Sequence, residues 1–260
     1  MLKSFSVKRM LKSFQRVTFL EWEANLNVPV VILCGGKGVR IEELTKEIPK
    51  PLVKIGDKPI LWHVMKIYAS QGFNNFILCL GYKGDKIKEY FKEDNDDKWD
   101  IQFVDTGLES TKSERLKQIS EFTKDDIFFL AYGDDVANID LHNLLKFHKN
   151  MGLITTITVV KMFSEFGLVE LDEKDNIVEF KEKPILDKWM NGGFMVMKKE
   201  VLSYLGLGEL EKEVFEKLVE LKQICAYKHQ GNWRTMNTLK DNLELNTIWN
   251  TGNAFWKIWE

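Results

Sequence analysis

From Val28 onward, short apolar, β-rich runs alternate with stretches whose apolar residues recur at helical spacing. The runs Val28–Leu33, Asn75–Leu80, Ile101–Asp105 and Ile127–Tyr132 read as strands. Between them, Pro59–Gln71 opens on proline and closes on Gly72, Asp85–Lys92 follows Gly84, and Arg115–Phe122 precedes the fourth strand; all three read as helices. The second half has closely spaced strands at Thr155–Lys161, Gly167–Asp172, Ile177–Phe180 and Gly192–Lys198, then helices at Lys199–Leu205, Glu209–Leu221 and Leu239–Asn250. This alternation predicts an α/β fold, a Rossmann-like mixed and mainly parallel sheet flanked by helices. No Pro/Gly/Ser-rich linker divides it. We therefore expect one domain over 28–260, with a nucleotide half at about 28–150 and an acceptor half at about 151–260. Residues 1–27, in which MLKSF occurs twice, are expected to be an N-terminal extension, and Lys92–Lys98 a solvated loop.

Composition narrows the function classes. The 39 acidic and 37 basic residues of the 260-residue chain nearly cancel, so composition supplies no basic face for nucleic acid. An anionic ligand would have to be held by a few placed cations. Cys34, Cys79 and Cys225 are far apart without a CxxC spacing, which fits a reducing cytoplasm. Lysine and arginine break the N-terminal segment before a signal-type apolar run forms, and no later stretch reaches membrane-spanning length. The expectation is a cytoplasmic chain without membrane contact.

Candidate chemistry gathers at strand ends. The first strand leads into Leu33-Cys34-Gly35-Gly36-Lys37-Gly38-Val39-Arg40, where glycines let backbone N–H groups turn toward an anion and Arg40 follows as a cation. A plain tight turn is the competing reading, and the spacing matches neither a P-loop nor a dinucleotide fingerprint. Lys50 stands between Pro49 and Pro51, which bias its segment toward an extended tether for a phosphate-binding ammonium. Asp134 and Asp135 follow the apolar run ending at Tyr132, where open α/β sheets place ligands, and one of them is expected to bind Mg²⁺. Glu182-Lys183-Pro184 and Asn191-Gly192-Gly193 would offer a lysine for a second phosphate and polar groups for hydroxyls.

In this order the motifs resemble the sugar-nucleotide pyrophosphorylases, more closely the glucose-1-phosphate cytidylyltransferases. The resemblance extends from about Val30 to the C-terminus. It includes Lys58-Pro59-Ile60-Leu61-Trp62-His63, Gly81-Tyr82-Lys83-Gly84, Val104-Asp105-Thr106-Gly107, Arg115-Leu116, Tyr132-Gly133-Asp134 and Trp256-Lys257-Ile258-Trp259. It implies a GT-A-like nucleotidyltransferase fold in which the glycine loop, with Gly81, binds the nucleotide. Arg40 would meet the β- and γ-phosphates and Lys50 the phosphates at the reacting centre. Thr106, Arg115 and Gly133 would help hold the nucleotide. Asp134 would bind Mg²⁺, Lys183 the acceptor phosphate, and Glu182, Asn191 and Gly192 the sugar hydroxyls. The implied reaction joins an NTP, CTP favoured, to a phosphorylated small molecule such as a hexose 1-phosphate and releases pyrophosphate.

Four features depart from that family. Asn237 stands where its second metal-binding aspartate falls, Val39 replaces a threonine, Ser113-Glu114 replaces two glycines beside the nucleotide, and an insertion between Phe91 and Ile101 is missing. Asn237 motivates a second reading, a catalytically weakened homologue that binds nucleotide or sugar nucleotide as a regulatory or scaffolding subunit. A dinucleotide-binding oxidoreductase is disfavoured by the absent third glycine. His63, His142, His148 and His229 are expected to be structural, and Cys34 a small residue packed under a turn. Trp233, Trp249, Trp256 and Trp259 are expected to mark packing or a contact between copies in a homo-oligomer.

Overall fold

The computed structural model describes residues 28–93, 98–123, 125–206 and 208–260. The N-terminal extension, with its repeat, and residues 94–97 of the acidic run lie outside the described residues. Seven strands form the main sheet: β1 (Val30–Leu33), β2 (Asn75–Leu80), β3 (Asp100–Asp105), β4 (Ile127–Tyr132), β5 (Thr155–Phe163), β6 (Ile185–Lys198) and β7 (Ile224–Lys228). Their order is β7-β5-β6-β4-β1-β2-β3. β1 pairs in parallel with β2 and β4, as do β2 with β3 and β7 with β5, while β6 runs antiparallel to β4 and β5. The longer helices are α1 (Ile60–Ala69), α2 (Gly84–Glu93), α3 (Lys112–Gln118), α4 (Leu141–Met151) and α5 (Leu239–Asn250).

The central strands are apolar on both faces because both faces are covered. Val30, Ile32, Phe76, Leu78 and Phe129 join one core; Val31, Ile77, Cys79, Phe128 and Leu130 join the other. The observed sheet is the mixed, mainly parallel one expected. The pattern does not predict α4 or β7, and three further details differ. A capping box of Thr111 and Glu114 starts α3 at Lys112, and the chain leaves helical geometry at Ile119, so the expected helix Arg115–Phe122 is displaced toward its N-terminus. Pro49 is extended, but Lys50–Leu52 form a 3₁₀ turn instead of an extended tether. Lys199–Tyr204 is likewise 3₁₀, and the expected helix Glu209–Leu221 is a π turn, Leu210–Phe215, followed by an α-helix, Glu216–Glu220.

The C-terminal aromatics fold back on α1. Trp256 is fully buried, stacks on Trp249 and donates its Nε1–H to His63 Nδ1 at 3.4 Å, while His63 Nε2–H donates to the Ile55 carbonyl at 2.9 Å. His63 is therefore the neutral tautomer, and burial pulls its pKa down to about 4. His148 is also buried and pulled down to about 4, mainly by burial. The aromatic density is used for packing within the chain. Among the described residues no helix is long and apolar enough to cross a membrane.

Candidate active site

The chain runs β1 to β2 to β3 on one side of β1 and then crosses to β4 on the other, which makes the carboxyl ends of β1 and β4 the point where strand order reverses. Ligands of open α/β sheets bind at such points. Leu33 and Tyr132 are registered partners at the end of that pair, so the glycine loop after Leu33 and the Gly133-Asp134 turn after Tyr132 leave the sheet side by side. They open onto a cleft of about 510 Å³, within the size range of small-ligand sites. Leu33, Cys34, Gly35, Gly36, Gly38, Arg40, Lys50, Arg115, Gly133, Asp134, Asn191 and Asn237, all anticipated from the sequence, line it.

One wall is held from behind by Arg115. Its guanidinium is buried and donates to the carbonyls of Leu80, Gly107, Gly35 and Leu108 and to Thr106 Oγ1, at 2.7 to 3.3 Å. Thr106 in turn donates to the Leu80 carbonyl at 2.6 Å. The loops after β1, β2 and β3 are thus tied to one cation. A Cβ on Gly35 would lie 2.2 Å from the guanidinium and one on Gly81 2.7 Å from it, so these two positions require glycine for close approach. Arg115 and Thr106 are braces of the loop wall rather than groups aimed at a ligand. Cys34 packs under the turn as expected, its thiol donating to the Cys79 carbonyl at 3.3 Å and pushed up in pKa by burial.

The opposite wall carries the charge. The short turn at Lys50 projects its ammonium to a hydrogen-bonded ion pair with Asp134 Oδ2 and to the Asn237 amide oxygen at 3.0 Å. Three residues that the sequence singled out separately meet at one point. Asp134 and Asn237 present two hard oxygens to a single cation, the donor chemistry that suits Mg²⁺ alongside substrate phosphates. Position is fixed by a small antiparallel pair in which residues Asp135–Ala137 lie against Trp233–Thr235, and by Met236 N–H donating to the Asp134 carbonyl at 3.0 Å. Asp135 is buried at 6 % exposure; burial and then the Asp134 charge push its carboxyl up, against the Thr235 hydrogen bond and the Lys50 and Lys112 charges.

Not every anticipated residue lines the cleft. Lys37 pairs with Glu109 at 2.6 Å on the outside of the loop, and Val39 is 72 % exposed. Gly81 and Thr106 stand behind the wall. Glu182 and Lys183 are exposed on the turn following residues Ile177–Lys181, and neither they nor buried Gly192 is among the lining residues. Glu114 accepts from the Thr111 N–H at 2.7 Å, so its carboxylate closes its own helix. Sequence reasoning missed Ser110, Thr111, Lys112, Tyr132, Glu209, Trp233 and Thr235 in the lining. A signal existed for the last two: Trp233, Thr235 and Asn237 share strand alternation, which puts them on one face. Tyr132 donates to Glu211 at 2.6 Å, and Lys112 pairs with Glu211 and lies 4.5 Å from the Tyr132 ring, ties that join the first half to the π turn of the second.

Comparison with known proteins agrees with this geometry. Residues 29–251 match the nucleotidyl transferase family model. The probable glucose-1-phosphate cytidylyltransferase of Bacillus subtilis (strain 168) is 40% identical over 253 residues, covering 88% of this chain and 99% of that protein. The glucose-1-phosphate cytidylyltransferase of Salmonella typhi is 38% identical over 255 residues with the same coverage. Among solved structures, HddC from Yersinia pseudotuberculosis shares the fold at a TM-score of 0.68 and 21% identity, covering 85% of this chain and 99% of that one. The braced glycine loop, the lysine between two oxygens and these relatives lead to one assignment: the chain belongs to the nucleotidyl transferase family.

Proposed function

We propose that this enzyme joins CTP to a hexose 1-phosphate, with Mg²⁺, and releases pyrophosphate. The observation that carries the reading is the Lys50 ammonium held between the Asp134 and Asn237 oxygens, facing the glycine loop across a nucleotide-sized cleft. The cytidylyltransferases named above support CTP as donor.

In this reading the loop from Leu33 to Arg40 binds the triphosphate. Gly36 and Gly38 leave the backbone open to the phosphates, Arg40 neutralises the leaving pyrophosphate, and Gly133 borders the nucleotide. Lys50 holds the α-phosphate where the acceptor phosphate oxygen attacks in line. Asp134 and Asn237 would hold the Mg²⁺, which supplies charge neutralisation on the phosphates. The chain's own work is positioning and fixed positive charge, the main requirements of phosphoryl chemistry. Asn191 at the cleft floor and, on the exposed turn, Glu182 and Lys183 are assigned to the acceptor's hydroxyls and phosphate by the family resemblance, with Gly192 beside them. The acceptor half at about 151–260 supplies these groups.

We also infer a homo-oligomer. The hairpin of residues Leu168–Leu171 and Ile177–Lys181 leaves Ile177, Val178 and Phe180 62 % exposed, and neighbouring Phe166 is 74 % exposed. A clustered apolar surface of this kind favours a contact between copies. Sedimentation equilibrium giving a monomer at micromolar concentration would remove this part of the proposal.

Assay of pyrophosphate release across the four NTPs with a panel of sugar 1-phosphates tests the function. Turnover with CTP and a hexose 1-phosphate is expected. Tight nucleotide binding without turnover for any pair would instead favour the non-catalytic homologue that Asn237 motivates.

A further inference from the structure

After β1 the chain makes a long excursion, from Gly35 to Pro49, with Arg40 on it and Lys50 at its end. Charges on such a segment act on phosphates only while they stay aimed. Part of the fixing is internal. Gly38, at φ +67°, opens a 3₁₀ turn over Val39–Ile41, and Ile41 N–H donates to its carbonyl at 3.0 Å. The Thr45 hydroxyl lies 3.4 Å from the Gly38 carbonyl and 3.3 Å from that of Ile41. Ile41 and Thr45 are both buried, so residues 38–45 form one unit.

The rest of the fixing comes from the turn after β2, Gly81-Tyr82-Lys83-Gly84. Tyr82 N–H donates to the Gly35 carbonyl at 3.0 Å, at the start of the excursion. The next residue reaches its far side: Lys83 Nζ donates to the Thr45 carbonyl at 3.3 Å and to that of Lys46. Lys86, in the first turn of α2, adds the Glu47 carbonyl at 2.6 Å. The last carbonyls of the helical turn Glu42–Thr45 have no partners within it, and these ammonium groups serve that end of the segment. Lys83 itself stands at φ +50°, a left-handed conformation uncommon for a residue with a Cβ, and its ammonium lies 5.0 Å from the Tyr82 ring. Neither lysine lines the cleft.

We propose that Lys83 and Lys86 are positioning residues of the reaction: together with the Tyr82 amide they staple both ends of the phosphate loop to one turn, and so keep Arg40 and Lys50 aimed into the cleft. This rests on the catalytic reading above and extends it to two cations that touch no substrate. Arg115 has a different task. It holds the backbone wall at Gly35, Leu80, Gly107 and Leu108, whereas the two lysines hold the segment that carries the charges.

The test uses the full-length chain and three variants, Lys83→Met, Lys86→Met and the double variant. Each is measured for kcat and KM for CTP with glucose 1-phosphate and Mg²⁺, for thermal midpoint, and for amide hydrogen exchange without ligands. The double variant is expected to lose about ten-fold in kcat with KM for CTP within about three-fold, because the wall that Arg115 holds is untouched while the charges lose their aim. Exchange of the amides in 39–48 is expected to quicken about ten-fold, with β1 and β4 unchanged and the thermal midpoint within a few degrees. A general structural role would instead lower the midpoint, raise KM and quicken exchange across α2 and the sheet together. That pattern, unchanged exchange in 39–48, or unchanged kcat in the double variant overturns the proposal. If the double variant does not fold, the two single variants, each expected to lose about three-fold in kcat with the same local exchange, decide the point. A wild-type enzyme without turnover would defeat the functional reading, while the exchange measurement would still decide whether the two lysines hold the loop.

Discussion

Lys50 and Asn237, 187 residues apart in sequence, meet at 3.0 Å across the mouth of the cleft. One belongs to a turn between β1 and α1 and the other to the segment that leads into α5. Their meeting closes the site, because it sets a positive charge of the first half against the Asn237 amide oxygen of the second. Removing that charge tests its role. Lys50→Met should leave the thermal midpoint within a few degrees and cut kcat on the order of 100-fold or more, as for loss of one preorganised charge at a reacting centre. Wild-type turnover would take Lys50 out of the mechanism.

Arg115 should behave in the opposite way. Its donors serve the carbonyls of three loops, so Arg115→Met leaves buried acceptors without partners, at a cost of about 1–3 kcal/mol for each group that solvent cannot reach. We expect at least about 3 kcal/mol lost in urea unfolding, with a raised KM for the nucleotide because the loop wall loosens. A stable variant with unchanged KM would show that the guanidinium is not the brace.

Acid should destabilise the fold through buried histidines. His63 and His148 are held at about 4 in the folded chain against about 6.5 when unfolded. Between these values the unfolded chain binds more protons, so stability rises with pH across this window. The stability present above pH 6.5 is lost as pH falls toward 4, by about 3 kcal/mol for His63 alone. Urea unfolding at pH 7.5 and at pH 5 checks this. His63→Gln should lessen the difference; an undiminished pH slope in that variant would assign the effect elsewhere.

What the sequence discloses follows from how local each signal is. β2, β4 and α5 coincide with their expected bounds because dense apolar runs or, for α5, a capping box of Thr238 and Asp241 define them locally. α4 is not among the expected helices. Its Leu141, Leu144, Leu145 and His148 form the buried stripe, and a histidine does not announce a core position. β7 is absent from the expected strands as well, because five mixed residues become a strand only when β5 offers an edge.

The same distinction holds for the site. Lys50, Asp134 and Asn237 stand in short motifs whose chemistry is local, and the structure brings them together. Whether a cation faces a ligand or the chain's own carbonyls is a tertiary property, and here Arg115 faces the carbonyls. Asp135 and Thr235 become partners only through a three-residue strand pair that no periodicity marks.

The central claim is that the Lys50-centred cleft transfers a cytidylyl group. Its most direct test is pyrophosphate release from CTP and glucose 1-phosphate with Mg²⁺, wild type against Lys50→Met. The account predicts stoichiometric pyrophosphate and CDP-sugar from the wild type and at least a hundred-fold less from the variant. Equal rates for the two proteins, or no pyrophosphate from the wild type with any nucleotide and sugar phosphate, would contradict it.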